Sequence, residues 1–309
     1  MIPGGSGDVG AVLRRVFVAR GDQVVVLSRR GGGDAIAWDG ETLGDWAGEI
    51  DGADVVINLA GRTVNCRYTP EHLREMMDSR VRSTRVVGQA IAAARRPPGV
   101  WLQASTATIY AHRYDASNDE TTGILGGDEP GLAPKWRASV GIARAWETEL
   151  DAAETPRTRR VALRSAMTMS PDPGGIFATM ATLARRGLGG TAGDGRQYVS
   201  WIHETDFIAA IHFLIEREDL NGPVNLAAPH PLPNAEFFRI LRAAVRAPFG
   251  FPTPKPLLEL GAWGMRTETE LILKSRRVVP GRLLDAGFAF RYPEWPEAAR
   301  ELAARSKKQ

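Results

Sequence analysis

Met1-Ile2-Pro3-Gly4-Gly5-Ser6-Gly7-Asp8-Val9-Gly10 opens the chain and carries a GxxGxxG spacing at Gly4, Gly7 and Gly10. Val9, Val12, Leu13, Val16 and Phe17 then share one helical face, and Gln23-Val24-Val25-Val26-Leu27-Ser28 reads as a strand. A glycine turn followed by an amphipathic helix and a strand is the pattern of a β-α-β unit that binds a dinucleotide. One glycine permits the tight turn, another lets backbone N–H groups approach the pyrophosphate, and the third lets the helix pack closely. The helix N-terminus adds unpaired donors and a positive dipole end. Gly4, Ser6, Gly7, Asp8, Val9 and Gly10 are therefore the candidate phosphate contacts. The strand before the turn is irregular: only Met1 and Ile2 precede Pro3, and proline cannot donate a ladder hydrogen bond in a central strand. Either that strand is stunted or the natural chain begins further upstream.

Working outward, apolar runs alternate with helical patterns through the first half. Ala35-Ile36-Ala37-Trp38, Asp54 to Leu59, Val100 to Ala104 and Arg160 to Arg164 read as strands. Glu71 to Ala94 reads as a long helix opened by Thr69 and Pro70, and a second runs roughly from Arg137 to Ala153. This alternation predicts an α/β fold with a doubly wound, Rossmann-like parallel sheet covered on both faces. Beyond Ser165, glycine and proline become denser and helices dominate. The expected division is a dinucleotide-binding domain over 1–165 and a smaller, mostly helical substrate region over 166–309. Segments near 200–230 are expected to return to the first domain. Pro248 to Pro256 reads as a rigid crossing segment, and Ala286 to Pro293 alternates like a short half-buried strand.

The bulk numbers bound the function. The chain has 309 residues, 43% hydrophobic and 24% charged, which is ordinary globular composition. The net charge is +3, and the basic residues are scattered, which argues against a nucleic-acid partner. No run approaches the roughly 20 apolar residues of a membrane span, and no signal peptide is seen. A lone Cys66 fits a reducing cytoplasm. Five histidines and one cysteine occur at no metal-ligand spacing, so no metal is expected. Neither GxSxG nor a GxxxxGK[ST] loop is present. The short tail Arg305-Ser306-Lys307-Lys308-Gln309 reads as a frayed end.

Three stretches carry a family resemblance: Gly4 to Gly10, Asn58-Leu59-Ala60-Gly61, and Ser105-Thr106-Ala107-Thr108-Ile109-Tyr110. Together they resemble the extended short-chain dehydrogenase/reductase superfamily. Asp78 to Arg85, Ser200-Trp201-Ile202-His203-Glu204-Thr205-Asp206, Asn225 to Pro229 and Arg276 to Phe288 narrow the resemblance. They are similar to its sugar-nucleotide epimerase-like branch, whose C-terminal domain has no known function and would occupy 249–309 here. The resemblance implies that Leu59, Ala60 and Gly61 line the adenine and ribose side of a cofactor. It also implies that Ala104 and Ser105 pass close to the nicotinamide.

The cofactor type is read at the end of the second strand. NAD sites place a carboxylate there for the ribose 2′-hydroxyl. This chain has Ser28-Arg29-Arg30, and arginine offers a permanent charge and a planar donor fork to a 2′-phosphate. The expected cofactor is NADP. Asp34 or Asp39 within reach of the adenosine keeps NAD open.

Active members of the superfamily use Tyr-x-x-x-Lys on a helix, with both groups on one face. The ammonium lowers the tyrosine pKa so that it can exchange a proton near neutrality. No tyrosine here has a lysine four residues on. Counting back from Trp146-Glu147 puts the tyrosine place at Ser139 and the lysine place at Ala143, and Lys135 lies out of register. The remaining catalytic candidate is Thr106, the counterpart of the family's Ser/Thr, with Ser105 beside it. Both also suit strand-end capping. Tyr110 reads as a packed aromatic, His203 and Asp206 as helix-start hydrogen bonders, and His112 and Tyr114 as loop residues. Arg164, Arg185 and Arg186 are possible anion contacts.

Two functions follow. The first is an NADP(H)-binding epimerase, dehydratase or reductase acting on a nucleotide sugar or another small carbonyl or carbinol. The alternative is a catalytically silent NADP(H)-binding sensor or scaffold.

Overall fold

A computed structural model describes residues 1–306; the tail residues 307–309 lie outside the described residues. The strands in chain order are β1 (Ile2–Pro3), β2 (Val26–Ser28), β3 (Ala35–Ala37), β4 (Val55–Asn58), β5 (Val100–Thr106), β6 (Arg159–Ser165), β7 (Met167–Met169), β8 (Tyr198–Val199), β9 (Trp201–His203), β10 (Gly222–Leu226) and β11 (Leu232–Pro233). The α-helices are α1 (Asp8–Ala19), α2 (Pro70–Ala93), α3 (Pro134–Asp151), α4 (Ile176–Arg185), α5 (Glu204–Glu216), α6 (Asn234–Val245), α7 (Lys255–Gly264), α8 (Glu270–Leu273), α9 (Gly281–Asp285) and α10 (Trp295–Arg305).

Seven of the described strands form one parallel surface in the order β3-β2-β1-β4-β5-β6-β10. The centre is its weakest part. β1 holds only Ile2 and Pro3 and bridges both halves. Ile2 N–H donates to Val25 O at 2.7 Å and Gly4 N–H to Leu27 O at 2.9 Å on one side. Ile57 N–H donates to Met1 O at 3.0 Å and Leu59 N–H to Pro3 O at 2.8 Å on the other. In this register Pro3 would aim an N–H at the Ile57 carbonyl, and proline has none to give. β1 is thus two residues long with one ladder donor missing at Pro3.

Alternation along the strands feeds two cores. Ile57, Leu102, Val161 and Leu163 face α1 and α5 through Leu13, Phe207, Ile211 and Leu214. Val56, Trp101 and Ala162 face α2 and α3 through Val86, Val87, Ile91 and Leu150. Helices on both faces of a parallel sheet make this a Rossmann-like α/β fold. Thr69 caps α2 by accepting from His72 N–H at 3.1 Å, and Pro70 takes the first turn, as their order in the sequence predicts. A third core, mostly helical, packs α4, α6 and α10 around Trp201 and Trp295, with the Phe237 ring stacked on Trp295 at 4.2 Å. No described helix is long and apolar enough to cross a membrane.

One expected element does not form. Ala286 to Pro293 is irregular, not a strand. Phe288 and Phe290 do turn into the first core, which produces the alternation. The backbone finds a different partner: the Asp206 carboxylate at the start of α5 accepts from Arg291 N–H at 2.7 Å and Tyr292 N–H at 2.9 Å. With those donors satisfied, no neighbouring strand is required.

Candidate functional site

The turn between β1 and α1 is built from missing side chains. Gly4 adopts φ +75°, and a Cβ there would lie 2.6 Å from Ala60 N and 2.7 Å from Ala60 Cα. Gly4 therefore lets the turn press against the end of β4. A Cβ on Gly10 would lie 2.5 Å from Gly5 Cα, so Gly10 lets α1 start tight against the turn. Gly7 differs. It is exposed, and a Cβ would meet only Gly4 O at 3.8 Å. Nothing inside the protein needs glycine at this position; a Cβ there would stand only at ordinary contact distance. Gly7 is also the residue that precedes α1, and it supplies no side-chain cap. The first-turn N–H groups of Asp8, Val9 and Gly10 have no partner within the helix. Ser6 is exposed beside them. This cradle fits a pyrophosphate.

β2 ends on buried Ser28, followed by exposed Arg29 and Arg30. Neither arginine has an ion-pair or hydrogen-bond partner among the described residues. The two nearby carboxylates are engaged elsewhere. Asp34 pairs with Arg14 at 2.7 Å. Asp39 closes a local turn by accepting from the N–H groups of Glu41 and Thr42 and from the Thr42 hydroxyl, which holds its pKa below the ordinary carboxylate value. Two unpaired guanidinium groups beside a phosphate cradle fit a nucleotide with an extra phosphate better than one with a free ribose.

At the end of β4, Asn58 is fully buried. Its amide donates to Gln103 Oε1 at 3.0 Å, and its Oδ1 accepts from Ala60 N–H at 3.0 Å. This fixes the backbone of Leu59, Ala60 and Gly61 at the strand end. Arg80 of α2 backs Gly61 and lies over the Trp146 ring at 4.9 Å. Burial pulls its pKa down to about 10.

At the end of β5, Ala104 and Thr106 are half-buried and Ser105 is buried. Thr106 Oγ1 accepts from Thr108 N–H at 3.1 Å, so its hydroxyl proton remains free to donate. Ser105 faces a different task. Its hydroxyl donates to Glu147 Oε1 at 2.5 Å. Arg164 grips the same carboxylate through Nε at 2.9 Å and Nη2 at 2.7 Å, and donates from Nη1 to the Tyr110 hydroxyl at 2.8 Å. Tyr110 in turn donates to Asn225 Oδ1 at 3.0 Å. Ser105, Tyr110 and Arg164 thus belong to a buried strut that ties α3 to β5, β6 and β10. Arg164 is not available to an anion. Arg185 and Arg186 lie at the exposed end of α4.

α3 carries Ser139 and Ala143, the two positions that the sequence reading expects for the family's tyrosine and lysine. Ala143 is fully buried and offers no polar group. Ser139 donates to Glu270 Oε1 at 2.7 Å. Glu270 arrives from the C-terminal segment with several neighbours. Glu268 accepts from Tyr68 N–H at 2.8 Å, and from Lys135 Nζ at 3.0 and 3.2 Å through its two oxygens. Lys274 Nζ donates to Thr108 O at 2.7 Å, and burial pulls its pKa down to about 8. Arg276 Nε donates to Thr108 Oγ1 at 3.1 Å. Ser275 N–H donates to His112 Nδ1 at 2.8 Å. Residues 267–276 therefore bolt onto the end of β5 and the start of α3. Of these residues only Arg276 belongs to a stretch that stands out in the sequence, Arg276 to Phe288; no short motif marks the other contacts.

His203 and Asp206 act as helix-start groups. His203 Nδ1 accepts from Thr205 N–H at 3.0 Å, and its Nε2 meets Glu301 at 2.9 Å. His112 sits beneath residue 275, and Tyr114 is partly exposed beside it. Among the described residues no group of three or more His, Cys, Asp or Glu side chains is arranged to hold a metal ion.

Comparison with known proteins gives this geometry its relatives. The chain is 30% identical to the human epimerase family protein SDR39U1 over 98% of its length and 99% of the relative's. It is 31% identical to an epimerase family protein of Staphylococcus aureus strain N315, covering 98% of each chain. The crystal structure of human SDR39U1 (isoform 2) with NADPH superimposes with a TM-score of 0.85 at 28% identity, covering 98% of each chain. Residues 253–302 match a domain of unknown function. Residues 1–227 match the NAD dependent epimerase/dehydratase family, and the chain belongs to that family.

Proposed function

We propose that this chain binds NADP(H) and uses it on a small carbonyl or carbinol substrate, as an epimerase- or reductase-type member of its family. The observation that carries the reading is the end of β2. Arg29 and Arg30 stand unpaired beside the glycine cradle, while Asp34 and Asp39 are engaged elsewhere. The human relative crystallised with NADPH supports the same cofactor. The turn from Gly4 to Gly10 would hold the pyrophosphate, and Arg29 and Arg30 the 2′-phosphate. Leu59, Ala60 and Gly61 would flank the adenosine side, and Ala104 the nicotinamide side. The bound nicotinamide supplies hydride exchange at a substrate carbon. Thr106, with its hydroxyl proton free, would orient the substrate oxygen.

Calorimetry tests the reading. The wild-type chain should bind NADPH more tightly than NADH, and Arg29→Asp should narrow or reverse that preference. NADH binding as tight as NADPH by the wild type would overturn it. A second reading, an NADP(H) sensor without turnover, draws on fully buried Ala143, which leaves the lysine place empty of any cation. NADPH that stays bound and unoxidised in the presence of reactive carbonyl probes would favour the sensor.

A further inference from the structure

We propose that Glu270, acting through Ser139, takes the place of the absent tyrosine as the proton relay of this site. The inference rests on the cofactor reading above and adds to it a role for the C-terminal segment.

The argument begins with position. Ser139 occupies the tyrosine's register on α3, and its hydroxyl hydrogen-bonds to Glu270 Oε1 at 2.7 Å. Arg276 connects this pair to the end of β5. It faces Glu270 Oε1 at 3.5 Å through Nη2 and donates to Thr108 Oγ1 through Nε. Thr108 lies two residues beyond Thr106. The carboxyl ends of the strands are where open α/β sheets bind their ligands.

The second observation separates Glu270 from its neighbours. Most buried carboxylates gather donors on both oxygens, because each unsatisfied buried acceptor is costly, and Glu204 at the start of α5 is the one other exception among the described residues. Glu147 does so with Arg164 and Ser105, and Glu268 does so with Lys135, Arg67 and Tyr68 N–H. Glu270 is 1% exposed, yet its Oε2 has no hydrogen-bond partner among the described residues. The Tyr68 phenol approaches the same carboxylate closely enough to interact with it, though outside ordinary hydrogen-bond geometry; burial first, then the Glu270 charge and this contact, push the phenol pKa upward, while Arg276 opposes them. Tyr68 is therefore held as a neutral hydroxyl rather than as a base.

The step balances in the direction of oxidation, the direction in which the Ser139-to-Glu270 hydrogen bond points. The carbinol carbon would give a hydride to the oxidised nicotinamide, and the O–H bonding pair becomes the C=O π pair. The carbinol proton passes to Ser139 Oγ while the Ser139 hydroxyl proton passes to Glu270 Oε1, and Glu270 then releases it to solvent. Carbinol and NADP⁺ become carbonyl, NADPH and one proton, and reduction runs the same steps in reverse. Serine alone is a poor base; the carboxylate behind it takes the proton.

The test uses the full chain with NADPH and phenanthrenequinone as a carbonyl probe, following loss of NADPH absorbance. Glu270→Gln should lower kcat by about 10²–10⁴-fold, the range of a general acid–base group. The probe KM and the calorimetric NADPH affinity should stay within about twofold, since the relay acts in the transition state rather than in binding. Glu270→Asp should restore part of kcat. Ser139→Ala, which removes little packing, should show the same loss of kcat, and the double variant should be no worse than either single one. Unchanged kcat in Glu270→Gln and Ser139→Ala would overturn the relay. So would a kcat loss that tracks lost NADPH affinity or a lower melting temperature in both variants. A wild type that binds NADPH but never turns over the probe also overturns it. A wild type that fails to bind NADPH would instead break the cofactor reading, a separate outcome seen in the calorimetry alone.

Discussion

The two sides of the strand ends are built by opposite means. The turn after β1 works through absent side chains: Gly4 and Gly10 let backbone meet backbone, and Gly7 leaves its outer face open. The opposite wall works through side chains from distant segments. Ser139, Thr108 and His112 are each held by residues between 270 and 276, more than 130 positions along the chain. A backbone cradle can recognise the part of a ligand that never varies, the phosphates. A wall of side chains can be rewritten without disturbing the cradle. That division lets a chain keep its nucleotide cradle while the side chains of the facing wall change.

The contrast breaks first under loss of a buried charge. Glu147→Ala would strand the Arg164 guanidinium, which is only 7% exposed, and free the Ser105 hydroxyl. Removing one partner of a buried pair costs about 3–5 kcal/mol. Urea unfolding should show a loss of that size. A loss below about 1 kcal/mol, the value of an exposed pair, would mean that solvent reaches the strut.

On the glycine side, Gly4→Ala and Gly7→Ala should separate folding from binding. Gly4→Ala combines a left-handed φ with a backbone clash. Together these cost about 2–4 kcal/mol of stability. Gly7→Ala should leave unfolding within about 0.5 kcal/mol, as for an ordinary surface change. Its NADPH affinity should nonetheless fall, because the new Cβ enters the cradle. Equal stability losses in the two variants would show that Gly7 has a packing role.

Next comes the charge at the end of β2. Hydrogen bonds to charged groups contribute about 1.5–3 kcal/mol, so Arg29→Asp should weaken NADPH binding by roughly 10–100-fold. NADH binding should be nearly untouched. A parallel loss of both would place Arg29 on the pyrophosphate rather than on the 2′-phosphate.

What the sequence made legible follows the same division. The glycine cradle, the Thr69-Pro70 start of α2 and the sheet rhythm are local patterns, so spacing alone exposes them. A register at Ser139 and Ala143 could also be counted, because a helix has a fixed period. The partner of Ser139 could not be read this way. The Ser139–Glu270 contact joins residues 131 apart, and glutamate in a polar run reads as surface until the fold buries it. Ser105 looked like a cleft residue because it ends a strand, yet the fold turns its hydroxyl to Glu147. The 286–293 stretch misled for a related reason. Phe288 and Phe290 alternate because both enter the core, and the Asp206 carboxylate replaces the neighbouring strand that alternation normally implies.

The smallest expected effect is a pH response confined to the side-chain-built half. His112 and His203 both have pKa values held below the ordinary 6.5, with burial the largest cause in each. Lys274 and Arg276 add to the depression at His112, while Glu129 opposes it. Glu301 opposes it at His203. Both rings use Nδ1 as an acceptor, from Ser275 N–H and from Thr205 N–H. Protonation would turn each acceptor into a donor facing a donor. The sign follows from linkage: with the folded pKa lower, the unfolded chain takes up the proton first as pH falls. The stabilising contribution is complete above 6.5 and is lost as pH drops from there toward the folded values. Melting temperature should therefore decline across that window. His112→Gln keeps a side-chain acceptor without the titration and should flatten part of the decline, with His203→Gln flattening more. The cradle from Gly4 to Gly10 contains no histidine. An acid loss of stability that survives both substitutions would place the sensitive contacts outside these two rings and dissolve the link between pH and the side-chain wall.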